Sequence, residues 1–189
     1  MDAPSASGPV SGAPRVRELR VDDAADLAFV RAMMERTPSV GFPSWFTLEQ
    51  LVERQREMVA ALLDRLATRR LGATTCGALA PRPARDEPVA EVVLVAESDA
   101  ATRAGFAWVR TVIDHFGRVP VAHIEDLATA PGHEGQGIGA ALVQQAEAWA
   151  RAHRLAGLTL NVWPENTRAR ALYERSGLAP EMLRMRKVL

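Results

Sequence analysis

Over residues 16–21 apolar and polar side chains alternate (VRELRV), the two-residue period of a short strand. Asp22 and Asp23 follow as helix caps, and the pattern behind them predicts a helix to about Met34. Thr47 and Gln50 have capping-box spacing. They open a long helical pattern to about Arg70, with Leu48, Leu51, Gln55, Met58, Leu62 and Leu66 near one face. Residues 89–97 (VAEVVLVAE) read as a strand buried on both sides, and 104–113 and 121–129 as two more strands. A helix is predicted over 138–153, with Ile138, Leu142, Ala146 and Trp149 on one stripe. Residues 158–162 read as a strand, 166–176 as a helix ended by Gly177, and 181–188 as a final strand.

The predicted order is strand, two helices, three strands, helix, strand, helix, strand. The three-strand meander is expected to be antiparallel, with a helical crossover near the end. The fold class is therefore α+β: a mixed, mainly antiparallel central sheet of about six to seven strands with helices on both faces. A chain of 189 residues suits one domain, over 15–189, with a helical and loop elaboration at about 35–88. Residues 1–14 are mostly Ala, Pro, Ser and Gly and read as a flexible tail. No internal repeat is visible.

Composition narrows the function. The 23 basic and 23 acidic residues cancel, whereas a nucleic-acid binder usually carries a basic excess. Cys76 is the single cysteine, so no disulfide forms within the chain, and its neighbours (GATTCGALA) supply no base to activate a thiolate. The longest apolar run, residues 58–63, is far too short to cross a bilayer, and no secretory pattern opens the sequence. The expectation is a cytoplasmic protein that binds neither nucleic acid nor membrane. His115, His133 and His153 lack metal-ligand spacing, and no metal is expected.

Candidate chemistry concentrates in residues 124–142, IEDLATAPGHEGQGIGAAL. Gly135, Gly137 and Gly139 alternate between a strand pattern and a helix pattern. Glycines let the backbone approach a ligand closely, and the first helical N–H groups have no partners of their own. Those donors and the positive helix end attract an anion such as a phosphate. A nucleoside-triphosphate loop of the form GxxxxGK[ST] is excluded, because no Lys-Ser/Thr follows the glycines. Gly135, Gly137 and Ala140 match a dinucleotide fingerprint, but the following strand ends at Asn161 where an acidic ribose ligand is wanted.

The same segment resembles motif A of the GNAT-type N-acetyltransferase superfamily. Leu127, Thr129 and Pro131 fit its lead-in, and Gly137 and Gly139 its two glycines. Residues 161–178 (NVWPENTRARALYERSGL) resemble the family's motif B through Asn166, Ala169, Leu172, Tyr173 and Gly177, with Leu178 in place of the usual Phe. The resemblance covers residues 89–189 well and the first strand and helix loosely. It implies a GNAT-like acyl-CoA fold and an enzyme that transfers an acetyl or other acyl group from acetyl-CoA to a primary amine in a ternary complex. One departure is Glu134, where the family usually has Arg or Gln. A carboxylate beside a pyrophosphate is unfavourable, so Glu134 is expected to point outward or to pair with an arginine.

On this resemblance, Glu134, Gly135, Gln136, Gly137, Ile138, Gly139 and Ala140 surround the pyrophosphate, and Leu127, Ala128 and Thr129 pair with the pantetheine arm. Asn166 bonds that arm or caps its helix; both roles are compatible. Arg168 and Arg170 are within reach of CoA phosphates or are simply solvated. Tyr173 is the candidate acid for the departing thiolate, against a purely packing tyrosine. His123 and Glu125 lie two apart on one strand face and are alternative bases. Phe42, Trp45 and Phe46 mark the acceptor side. The acceptor is a small-molecule amine or a protein N-terminus, and a homodimer is left open. Two rivals stand beside this reading: a non-catalytic acyl-CoA-binding module and a dinucleotide-binding enzyme.

Overall fold

The computed structural model describes residues 13–36, 47–72, 90–98, 102–185 and 187, with the backbone alone for 69–72. Its first strand, β1 (Arg15–Glu18), is followed by helices α1 (Ala24–Arg36) and α2 (Leu48–Gly72). Strands β2 (Glu91–Glu97), β3 (Arg103–Ile113) and β4 (Pro120–Thr129) come next, then α3 (Ile138–Ala152), β5 (Leu158–Leu160) and α4 (Thr167–Arg175). One sheet runs in the order β1-β2-β3-β4-β5. The first four strands pair antiparallel; α3 then carries the chain back so that β5 lies parallel to β4. This is the mixed sheet that the residue patterns predict.

Local chemistry fixes the helix starts. Asp23 accepts from the Ala25 amide at 2.9 Å and so caps α1. Thr47 and Gln50 form the reciprocal pair that their spacing predicts, Gln50 N–H to Thr47 Oγ1 at 3.2 Å and Thr47 N–H to Gln50 Oε1 at 3.0 Å. Helix α3 packs on one sheet face, where Leu142, Ala146 and Trp149 meet Val92, Leu94, Val109 and Ile124. On the other face Val30, Met34, Val59 and Leu62 of α1 and α2 cover Val93, Val95, Phe106 and Trp108. Each strand of the centre is thus buried on both sides, which explains why β2 reads as a nearly continuous apolar run.

Three expectations change. The sheet has five strands among the described residues. Residues 181–185 pair with no strand, and Met182, Leu183 and Met185 are exposed. Alternation alone does not hold a strand; it needs a ladder partner and a face to bury. The predicted boundary of the first strand also shortens, to Glu18. Residues 1–12, 37–46, 73–89, 99–101, 186, 188 and 189 lie outside the described residues, and with them Cys76, the end of the predicted strand 181–188 and the acceptor-side candidates Phe42, Trp45 and Phe46. Among the described residues no helix is long and apolar enough to cross a membrane.

Candidate active site

The strand that carries the site is irregular at one point. Trp108 of β3 pairs with Asp126 of β4, but the next residue, Val109, pairs with Ile124. Glu125 is the extra residue of a β-bulge. The bulge shifts the parity of β4. Ala122, Ile124 and Leu127 all serve the α3 face, although Ile124 and Leu127 are three apart. Asp126 and Ala128 turn to the α1 and α2 side, opposite Trp108 and Phe106.

Strands β4 and β5 share only three registered pairs, Ala122 with Leu158, His123 with Thr159 and Ile124 with Leu160. Past Ile124 this edge of β4 has no strand beside it among the described residues, and a cavity of about 910 Å³ opens there. Its floor is residues 124–129 of β4; its mouth is the glycine turn and the start of α3. Asn166, the residue before α4, and Tyr173 within it stand on the opposite wall with Asn161 and Trp163. Of the residues predicted to surround a coenzyme, Leu127, Ala128, Thr129, Glu134, Gly135, Gly137, Ile138, Gly139, Ala140 and Asn166 border this cavity. Gln136 does not; its amide turns back and donates to Gly132 O at 3.1 Å.

The mouth presents helix amides and open space together. Gly137, the residue before α3, has φ 79° and no side chain caps the helix; the first turn carries no acidic residue. The first amide taken up is Ala141, by Gly137 O at 3.0 Å, so the amides before it remain available. Gly135 and Gly137 both have positive φ, and a Cβ on either would meet nothing within 4 Å. Glu134 folds back instead of filling this space: its Oε2 accepts from the Gly132 amide at 2.7 Å. Bonds to the loop's own backbone, with Arg168 and Arg36 nearby, hold its carboxyl below the ordinary value. Of the two expected arrangements, pointing outward or pairing with an arginine, Glu134 is exposed and its carboxylate is capped by the backbone of its own turn, with Arg168 and Arg36 nearby. His133, whose buried Nδ1 has no partner among the described residues, also borders the cavity.

Gly139 does a different job from its neighbours. A Cβ there would lie 2.8 Å from Leu172 Cδ2, so its absence lets α4 close on α3. Asn166 caps α4 by accepting from the Ala169 amide at 3.1 Å. Tyr173 then falls two turns later, where burial pushes its hydroxyl up to about 12, with Asp126 adding to the shift.

The two base candidates lie in different surroundings. Glu125 borders the cavity and its carboxylate is bonded to Arg110 Nε of β3. His123 stands outside the cavity wall. Its Nδ1 is 2.8 Å from Thr159 Oγ1, whose hydroxyl donates to Ala122 O at 3.2 Å. The hydroxyl proton being spent, Nδ1 must carry a hydrogen and Nε2 the lone pair, an assignment that rests on the hydrogen-bond network. Asn161 Nδ2 approaches that Nε2 at 3.4 Å and itself reaches the cavity. Burial lowers the His123 pKa, the Arg110 charge acts the same way and Glu125 opposes both.

Comparison with known proteins agrees with this architecture. The family model described as Acetyltransferase (GNAT) family matches residues 76–178, more than half of the chain. The chain belongs to the GNAT acetyltransferase family. Among solved structures, a candidate acetyl transferase from Pyrococcus furiosus is similar at 21% identity and TM-score 0.63, covering 93% of this chain and 99% of its own. Glucosamine-6-phosphate N-acetyltransferase from Arabidopsis thaliana gives 16% identity and TM-score 0.53, over 94% of this chain and 99% of its own. An aminoglycoside N-acetyltransferase in complex with CoA gives 14% and 0.57, over 96% and 99%. At these identities the likeness is one of fold. No curated protein matches the sequence. This GNAT chain is accordingly an acetyltransferase that works with an acyl-CoA.

Several residues at the site escape a reading of the sequence. Arg110 and Trp108 are two more positions on an alternating strand until the register sets Trp108 opposite Asp126 and the bulge brings Glu125 onto the Arg110 guanidinium. Arg54 and Arg65 look like solvated helix charges. The bulge did leave a trace: the alternation of β4 breaks at the Glu125-Asp126 doublet.

Proposed function

We propose that the protein transfers the acetyl group of acetyl-CoA to a primary amine by direct attack in a ternary complex. The observation that carries this reading is the cavity between the parted strands β4 and β5, with uncapped helix amides at one end and the Tyr173 hydroxyl on its wall. In this reading the pyrophosphate lies at Gly135 to Ala140, where donors, open space and the helix dipole coincide. The pantetheine arm runs along the free β4 edge at Leu127 to Thr129, as an added strand would. Asn166, whose Oδ1 accepts from the Ala169 amide, keeps its Nδ2 hydrogens as donors for the arm.

The chemistry follows from those positions. The amine nitrogen bonds to the thioester carbon, the carbon–sulfur bond breaks, and a proton leaves the nitrogen. Tyr173 stays protonated far above neutral pH and gives its proton to the departing sulfur. The amine proton goes to Glu125, directly or through water. Glu125 is preferred over His123 because it borders the cavity, whereas His123 reaches it only through Asn161. A backbone amide near Leu127 polarises the carbonyl.

Two measurements test the reading. Thiol release from acetyl-CoA is followed over a panel of primary amines, and thermal unfolding is recorded with CoA and with NAD. Amine-dependent release together with stabilisation by CoA alone is expected; at 100 times Kd the gain is about 2.7 kcal/mol. CoA stabilisation without release for any amine favours a non-catalytic acyl-CoA-binding module. Stabilisation by NAD revives the dinucleotide reading.

A further inference from the structure

Glu125 borders two cavities. Besides the coenzyme groove it lines a smaller one of about 280 Å³ on the sheet face covered by α2. Arg54, Met58 and Arg65 of α2 form one wall of this second cavity, and Trp108 and Arg110 of β3 the other. The bulge at Glu125 thus stands between a place for the acyl donor and a separate space for a second molecule. That space matches a small molecule, equal to the bulk volume of on the order of nine waters.

The charges around it are unequal. Arg65 grips Glu91 with two bonds, Nε at 3.0 Å and Nη2 at 3.1 Å, and the Glu91 side chain is wholly buried. Arg110 is bonded to Glu125. Arg54 makes no ion pair among the described residues. The lining thus carries three guanidinium groups and one carboxylate, Glu125, with Glu91 and Asp126 beside Trp108 on the same face, and Arg54 of α2 does not line the groove. The carboxylate that a substrate amine can meet, Glu125, sits at the groove end. The Met58 side chain and the Trp108 ring also line the cavity; the ring hydrogen-bonds to Glu91 through Nε1 at 3.2 Å and has the Arg65 guanidinium 5.8 Å from its centre.

We propose that this cavity is the acceptor subsite and that it selects a primary amine carrying its own anionic group, a carboxylate or a phosphate, on a short apolar or planar body. The inference rests on the transfer reading above. The amine end lies at Glu125, in line with the groove, and the anion is held by Arg54 with a guanidinium that no carboxylate among the described residues occupies. Such a fork suits both anions, since it can donate two parallel bonds to either. A neutral amine would leave Arg54 unmatched and would gain only the apolar contacts.

The test compares acceptors in pairs that differ by the anion: phenylalanine against phenylethylamine, and phosphoethanolamine against ethanolamine. kcat/KM is measured with acetyl-CoA for the native protein, Arg54→Gln and Arg54→Lys. A charge-assisted bond predicts at least a tenfold preference for the anionic member of one pair. The ratio of anionic to neutral kcat/KM is expected to fall about tenfold in Arg54→Gln, through KM, and to recover partly in Arg54→Lys. Which pair responds distinguishes carboxylate from phosphate. Equal kcat/KM within both pairs, or a ratio insensitive to Arg54→Gln, overturns the proposal. Should no amine be acetylated, the same four compounds are titrated calorimetrically into the CoA-loaded protein. Arg54-dependent binding of an anionic member then sustains the subsite while the transfer reading falls; its absence overturns the subsite as well.

Discussion

Burial keeps the Tyr173 hydroxyl protonated well past neutral pH, at a pKa of about 12, and a donor to a departing thiolate needs that property. The packing role is also real, because the ring joins the core beneath α3. The two roles separate on substitution. Tyr173→Phe keeps the ring and its packing and removes only the proton. Turnover is expected to drop about 10- to 1000-fold with CoA affinity almost unchanged, checked by steady-state kinetics beside a CoA titration. Native-like kcat in the variant removes Tyr173 from the chemistry. Glu134 teaches the complementary lesson at this scale. Coulomb reasoning marks it as a misfit beside an anion, yet its carboxylate is engaged by the Gly132 amide of its own turn. Charge was legible in the sequence; the direction of a short side chain on a tight turn was not.

Elements were legible where one periodic signal and one cap agreed. Helix α2 starts at the capping box that Thr47 and Gln50 announce, and α3 shows the stripe read from Ile138, Leu142, Ala146 and Trp149. The segment at 181–185 failed because its apolar residues found no partner to pack on. Contacts between elements were the hidden part. Gly139 reads as a phosphate-turn glycine, but the pairing of α3 with α4 also demands it, since a Cβ would stand 2.8 Å from Leu172 Cδ2. Gly139→Val is therefore expected to destabilise by about 1–3 kcal/mol through overpacking. Leu172→Ala opens room at the same contact, so the double variant should be more stable than the sum of the single losses, by about 1 kcal/mol or more in denaturant unfolding. Strict additivity would mean that α4 does not rest on this glycine.

Across the whole molecule, the groove depends on a sheet whose first strand is far from it. Asp26 is a fully buried carboxylate in α1 that ties the far edge together. It accepts from Arg17 of β1 at 2.6 and 2.9 Å, from Arg103 of β3 at 2.6 Å and from the Arg20 amide at 2.9 Å. The fold class could be read from element order, but nothing in the sequence singles out Asp26 from its acidic neighbours Asp22 and Asp23; only tertiary pairing does. Burial alone would raise its pKa, yet the hydrogen bonds from Arg17, the Arg20 amide and Arg103 outweigh burial and hold it below the ordinary 3.8. The unfolded chain then takes up the proton first on acidification. Asp26 thus stabilises the fold fully above about pH 3.8, and its contribution disappears as the pH falls below that. His123 acts in a separate window: held neutral by burial, it costs stability once the unfolded chain begins to protonate below about 6.5. Asp26→Asn takes the shared buried carboxylate from two part-buried guanidinium groups, which keep Glu97 and Asp23 as partners, and should lose about 3 kcal/mol at neutral pH, or roughly 10 °C in Tm. Unfolding free energy measured from pH 7 to 3 should lose its slope below about 4 in Asp26→Asn and its slope just below 6.5 in His123→Gln. If both variants keep the native acid profile, the far edge of the sheet is held by packing, and the buried carboxylate is not what closes it.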